Sequence, residues 1–247
     1  SSGIGAAFAR ELAGRGTSLI LVARAEEALS ALAEEIRNRN HVQVDVIVAD
    51  LSRPDAATQV SAEVARRKLV VDLLINNAGF MTHGAFESID PQLDRDEVMV
   101  NVNAVVGLSH EFLPSMLAKQ DGAIINVASI AGFQSIPYLA VYAASKAFVI
   151  SFSIALREEC RGRNVQVLAL CPGTTATQLF ERANAHRAAL GKPRTPEQVV
   201  AAGLAGLDKK RSLVIDGLKN SLLCHGPRLI PRWFAARCAG SAVRPVG

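Results

Sequence analysis

Six short runs rich in Val, Ile and Leu alternate with longer amphipathic stretches along this 247-residue chain, and no other feature limits the fold as tightly. The expected strands are Ser18–Val22, Gln43–Ala49, Asp72–Asn76, Gly122–Ala128, Val165–Cys171 and Leu213–Ile215. Between them the periodicity predicts helices over Gly5–Gly14, Glu26–Arg39, Ala56–Arg67, Arg95–Ala118, Leu139–Cys160 and Thr195–Leu207. Near-continuous apolar strands joined by crossover helices imply a parallel sheet covered on both faces. The expectation is an α/β fold of three layers, αβα, around a doubly wound parallel sheet.

No Pro/Gly/Ser-rich linker divides the chain, so residues 1–217 are expected to form one domain, followed by a basic, leucine-rich extension over 218–247. With 49% hydrophobic and 20% charged residues, no apolar run near the ~18 residues of a membrane helix and no signal peptide, a cytoplasmic soluble protein is expected. Cys160, Cys171, Cys224 and Cys238 form no C-x-x-C pair, so neither a metal site nor a disulfide framework is expected. The formal charge of +4 comes from the tail: Lys219, Arg228, Arg232, Arg237 and Arg244 stand there without one acid. No basic-aromatic interleaving marks the body of the chain, which argues against a nucleic-acid partner.

Tyr142 and Lys146 share one helical face at i, i+4. A phenol with an ordinary pKa of about 10 is a poor acid or base at neutral pH, and a neighbouring ammonium lowers it toward the useful range. Ser129, at the end of the Gly122–Ala128 run, adds a hydroxyl able to hold a carbonyl or alcohol oxygen near that phenol. On its own the pair also fits an ordinary surface contact.

The chain opens on Ser1-Ser2-Gly3-Ile4-Gly5, a glycine turn entering a helix, the form that presents backbone N–H groups to a pyrophosphate. The strand and first glycine that normally precede such a turn are expected to be missing. Arg24 follows the Ser18–Val22 run; there an acid would hold a ribose 2′-hydroxyl and an arginine a 2′-phosphate, unless Arg24 is simply an exposed residue starting a helix. Asp50-Leu51 and Asn76-Asn77-Ala78-Gly79 close two further strands, where ligands of open α/β sheets bind. The second could also serve only to reverse the chain.

These segments, with Asn101, Ser129, Tyr142-x-x-x-Lys146 and Pro172-Gly173-x-x-x-Thr177, resemble the short-chain dehydrogenase/reductase family over about residues 1–217. The resemblance implies a Rossmann fold and hydride transfer between NADP(H), or less favourably NAD(H), and a small-molecule carbonyl or secondary alcohol. It makes Tyr142 the acid/base, Lys146 its electrostatic partner and ribose ligand, and Ser129 the residue positioning the carbonyl. Asn101 matches the asparagine that orders a water in the proton relay, with Asn103 a nearby competitor. Cofactor contacts are implied for Ser2, Gly3, Ile4, Gly5, Arg24, Asp50, Leu51, Asn77, Ala78, Gly79, Tyr142, Lys146, Pro172, Gly173, Thr175 and Thr177. Ala25 departs from the family pattern, which often has a second arginine there. The competing reading is a non-catalytic dinucleotide-binding or regulatory protein that keeps the scaffold.

Residues 174–194 lie where the family keeps its substrate lid, or form a plain surface loop. His83 and Phe86, in the loop after Gly79, could reach substrate, although a lone histidine there is more often structural or solvated than catalytic. The tail over 218–237 reads either as short helices covering the cleft or a dimer surface, or as a basic amphipathic segment on an anionic membrane. The wide apolar face of the Tyr142 helix, with Phe148, Phe152, Ile154 and Leu156, predicts a homodimer or homotetramer.

Overall fold

The computed structural model describes residues 2–185, 188, 191–226 and 230–245. Parts of the expected lid and tail, including Arg228 and Leu229, lie outside them. The order of elements is α1 (Gly3–Gly14), β1 (Leu19–Ala23), α2 (Glu26–Asn40), β2 (Val44–Val48), α3 (Ala56–Arg66), β3 (Leu73–Asn76), α4 (Pro91–Val98), α5 (Ala104–Lys119), β4 (Gly122–Val127), α6 (Ala140–Glu159), β5 (Val165–Cys171), α7 (Leu179–Arg182), α8 (Pro196–Asp208), β6 (Leu213–Ile215), α9 (Leu218–His225) and α10 (Arg232–Val243). Each expected strand forms within a residue or two of its predicted bounds.

Local chemistry explains where the helices begin. Thr195 and Gln198 close a capping box with Pro196 in the first turn, which starts α8. The Asp90 carboxylate accepts from Gln92 N, and Pro91 opens α4 four residues ahead of the predicted start. The long helix expected over Arg95–Ala118 is broken by a π-helical turn, Met99–Asn103, between α4 and α5. No period in the sequence announces that turn.

All strand pairs are parallel, so every strand's carboxyl end opens on one side within its sheet. The ladders form two groups, β1-β2 and β3-β4-β5-β6, and none joins β1 to β3 among the described residues. Both groups nonetheless share one apolar cluster, in which Ile20, Val22 and Ile47 meet Leu74, Ile124 and Val167. Strands β1 and β3 keep most residues half-buried, whereas β4 and β5 are almost wholly enclosed.

Helix α6 is long and apolar enough, by length and composition, to span a membrane. It is instead packed against β5 and the 3-10 turn Ile130–Phe133, with the Tyr142 and Lys146 side chains turned inward.

Candidate active site

Tyr142 and Lys146 sit in the first two turns of α6, 7% and 5% exposed. The contact that seats this helix is Gly132, where a Cβ would lie 2.6 Å from the Lys146 carbonyl carbon and 2.8 Å from Ala147 N. Only a residue without a side chain lets the turn after β4 approach so closely. Ser129 heads that turn, and its Oγ accepts from Ala131 N at 3.1 Å. Lys146 Nζ donates to Val127 O at 3.1 Å and stands 5.8 Å from the centre of the Tyr142 ring.

Burial perturbs both members of the pair. As the largest influence it pushes Tyr142 up to about 12; Ser129 works against this and Glu97 adds to it. Burial pushes Lys146 down to about 8, with Glu97 working against it. At neutral pH the phenol keeps its proton, so the resting site holds a donor.

Asn101 lies in the π-helical turn, fully buried, while Asn103 is exposed. The Asn101 amide clasps the Phe80 backbone: Phe80 N donates to Oδ1 at 3.2 Å and Nδ2 donates to Phe80 O at 2.9 Å. Nδ2 also donates to Ser145 Oγ at 3.1 Å, and Ser145 Oγ donates to Tyr142 O at 2.8 Å. The π turn thus ties the loop after β3 to the helix of the phenol, a use these turns often have.

Glu97, Thr82 and Ser145 escaped the sequence reading. Glu97 is fully buried one helical turn before Asn101, with Oε1 3.4 Å from Asn101 Nδ2. Its Oε2 accepts from Thr82 N at 2.8 Å and lies 2.7 Å from Thr82 Oγ1, which is also 3.0 Å from Asp94 Oδ1. One hydroxyl proton cannot serve two carboxylates, so one of the acids is protonated when both contacts are made. Burial favours Glu97 as that acid and pushes its carboxyl up to about 7, assisted by Asp94 and opposed by Thr82 and Lys146. The signal available in the sequence was an acid at i−4 to Asn101, on the same helical face.

The residues expected to meet a cofactor converge on the carboxyl ends of the strands. Gly3 has φ +53° and a Cβ on it would come within 2.9 Å of Thr177 Cγ2. A Cβ on Gly5 would come within 2.6 Å of Asn77 Nδ2, and one on Gly79 within 2.8 Å of Asn101 Oδ1 and 3.3 Å of Lys146 Nζ. Ser2 is an extended N-cap with no side-chain capping bond, leaving the first amides of α1, on Gly3, Ile4 and Gly5, directed out of the helix. Arg24 is exposed just past β1; Asp50 accepts from Ser52 N at 3.1 Å, and that bond holds its carboxyl below the usual range, with Arg24 contributing. Leu51 is buried in the core, Ala78 is exposed beside Gly79, and Pro172 is buried at the end of β5. Thr175 Oγ1 donates to Gly173 O at 3.0 Å and Thr177 N to Thr175 O at 2.8 Å, which shapes the turn after β5.

An apolar cluster encloses the phenol: Met81, Ala131 and Leu139 with Leu179, Phe180 and Ala183 from the α7 region. Described residues of the segment after β5, among them Leu179 and Phe180, therefore pack in one cluster with Tyr142. The segment's far end is fixed by an ion pair, Arg194 Nε to the buried Asp216 Oδ2 at 2.6 Å. His83 Nε2 contacts Val243 O at 2.8 Å, and Phe86 points to solvent at 66% exposure. The tail does form short helices, and Asn220 of α9 presses against Gly173.

Comparison with known proteins gives concordant results. Residues 1–188 match the family model for short chain dehydrogenases. The chain is 32% identical to a 7beta-hydroxysteroid dehydrogenase of Mediterraneibacter gnavus, over 91% of this chain and 86% of the relative. It is 36% identical to a very-long-chain 3-oxoacyl-CoA reductase of Anas platyrhynchos, over 85% and 68%. Among solved structures, a short-chain dehydrogenase from Sphingobium yanoikuyae in complex with NADPH superposes with a TM-score of 0.82 at 31% identity, covering 96% of this chain and 89% of the other.

Proposed function

The chain belongs to the short-chain dehydrogenase family, and on that footing we propose that it is an NADP(H)-dependent oxidoreductase that reduces a bulky apolar carbonyl compound to the secondary alcohol, or runs the reverse. What supports the reading is geometry: a buried phenol on α6 beside the turn headed by Ser129, with Lys146 Nζ 5.8 Å from its ring centre and Asn101 tied to the same helix through Ser145. The dinucleotide fits the residues present: α1 offers unbonded amides at a turn too tight for side chains at Gly3 and Gly5, and Arg24 offers one guanidinium for a 2′-phosphate. When bound, the cofactor supplies or accepts the hydride.

The chain's own residues do the remaining work. Ser129 Oγ holds the carbonyl oxygen, and the Tyr142 phenol gives its proton to that oxygen as negative charge grows there. Lys146 stabilises the phenolate left behind, and Asn101 connects it to water for reprotonation. Met81, Leu179 and Phe180 favour an apolar substrate and exclude water from the phenol. We further take residues 174–194 as the lid of this site, and the outer face of α6 as its contact with a second copy.

Tyr142→Phe should lower carbonyl reduction by roughly a hundred- to ten-thousand-fold while NADPH still binds, read by its fluorescence. Wild-type-like turnover in that variant would overturn the assignment. NADPH binding by the wild type without turnover on any carbonyl of a broad panel would favour the non-catalytic scaffold instead.

A further inference from the structure

Helix α9 is amphipathic in the inverted sense. Its inward side carries Asn220, Ser221 and Cys224, and its outward side carries Leu218, Lys219, Leu222 and Leu223, with Leu218 88% and Leu222 75% exposed. Helix α10 buries an apolar side, Ala235, Gly240 and Val243, yet also carries large apolar groups outward: Trp233 and Phe234, edge to face at 5.7 Å, stand exposed beside Arg232 and Arg237. Exposing such residues to water is costly, at about 25 cal/mol per Å² of apolar surface, so a surface that presents them is built to be covered.

We infer that α9 and α10 form a docking face for an anionic lipid surface. Charge decides among the possible covers. Among the described residues of α9 and α10 the exposed charges are Lys219, Arg232 and Arg237, with no acid. Two copies of this face laid together would oppose like charges with nothing to neutralise them, whereas an anionic bilayer satisfies both the arginines and the leucines. Leucine, tryptophan and phenylalanine interleaved with Lys and Arg are also the composition that settles at the headgroup boundary.

The face is fixed relative to the site. Asn220 leans on Gly173, α9 packs against the 3-10 turn headed by Ser129, and a Cβ on Gly240 of α10 would meet Pro137 at 2.9 Å. Arg244 Nε bonds Tyr138 Oη at 2.9 Å and Val243 O holds His83. Lipid contact would therefore occur at the rim of the apolar enclosure around Tyr142, where a substrate dissolved in the bilayer could pass directly into the site. That last step rests on the reductase reading; the docking itself does not.

Trp233 is the only tryptophan of the chain, so its emission reports on this face without labels. With vesicles of phosphatidylcholine containing roughly a third phosphatidylglycerol, the full chain should co-sediment, and Trp233 emission should shift to the blue. Raised salt should weaken the binding. Arg232→Gln with Arg237→Gln, or Leu222→Ser with Phe234→Ser, should each weaken vesicle binding by at least roughly tenfold, while NADPH binding stays at the wild-type level. Absence of vesicle binding at low salt, an unshifted Trp233, or equal binding to pure phosphatidylcholine would overturn the proposal. Docking without carbonyl reduction would count against the enzymatic reading alone.

Discussion

Glu97 holds a position that a sequence alone gives little reason to single out, yet it is the buried acid nearest the Asn101 amide. Its carboxyl is pushed up to about 7 by burial, against about 4.5 for an ordinary glutamate. The folded state therefore binds this proton more tightly than the unfolded chain, so the group's contribution is fullest below about pH 4.5 and is lost as pH rises through 7. The shift corresponds to about 3 kcal/mol, an upper figure because nearby groups relax. Glu97→Gln removes that dependence. In urea unfolding, the stability gained by the variant over wild type should be small near pH 4.5, grow up to pH 7 and level off above; a pH-independent difference would refute the protonated, buried acid. Tyr142, Lys146 and Ser129 were legible because their spacing and strand-end position carry a chemical meaning. Glu97 was not, because its meaning comes from Thr82, fifteen residues away in sequence and brought to it only by the fold.

At the scale of elements, the site depends on how closely the turn after β4 approaches α6. Gly132→Ala would drive a Cβ into the backbone of Lys146 and Ala147, which has no soft end to yield. The cost should be about 1–3 kcal/mol, seen as a lower melting temperature. Activity should fall further than stability explains, because the displaced helix carries Tyr142 and Lys146. Unchanged melting and turnover would mean that the turn gives way freely. The strands, the α8 cap and the α6 span could be read from apolar runs and capping residues. The π turn Met99–Asn103 could not, since it is a change of hydrogen-bond register with no change of periodicity. The inverted face of α9 was legible as composition, but its direction emerges only from the packing of Asn220 on Gly173.

For the molecule as a whole, the outer face of α6 exposes Phe148 and Ile154, with Phe148 stacked on Phe152 at 5.9 Å and facing a groove lined by Val98, Val102 and Val141. Gel filtration should show a dimer or tetramer, and Phe148→Asp should shift elution toward the monomer; a monomeric wild type would remove this surface as an interface. The parallel strands have a separate consequence. Arg24 and Asp50 follow β1 and β2, Asn77 follows β3 and Ser129 follows β4, so one ligand lying across these ends would touch loops that are far apart in sequence. NADPH should therefore slow hydrogen exchange in several separate loops at once; protection confined to one of them would show that a single segment holds the ligand.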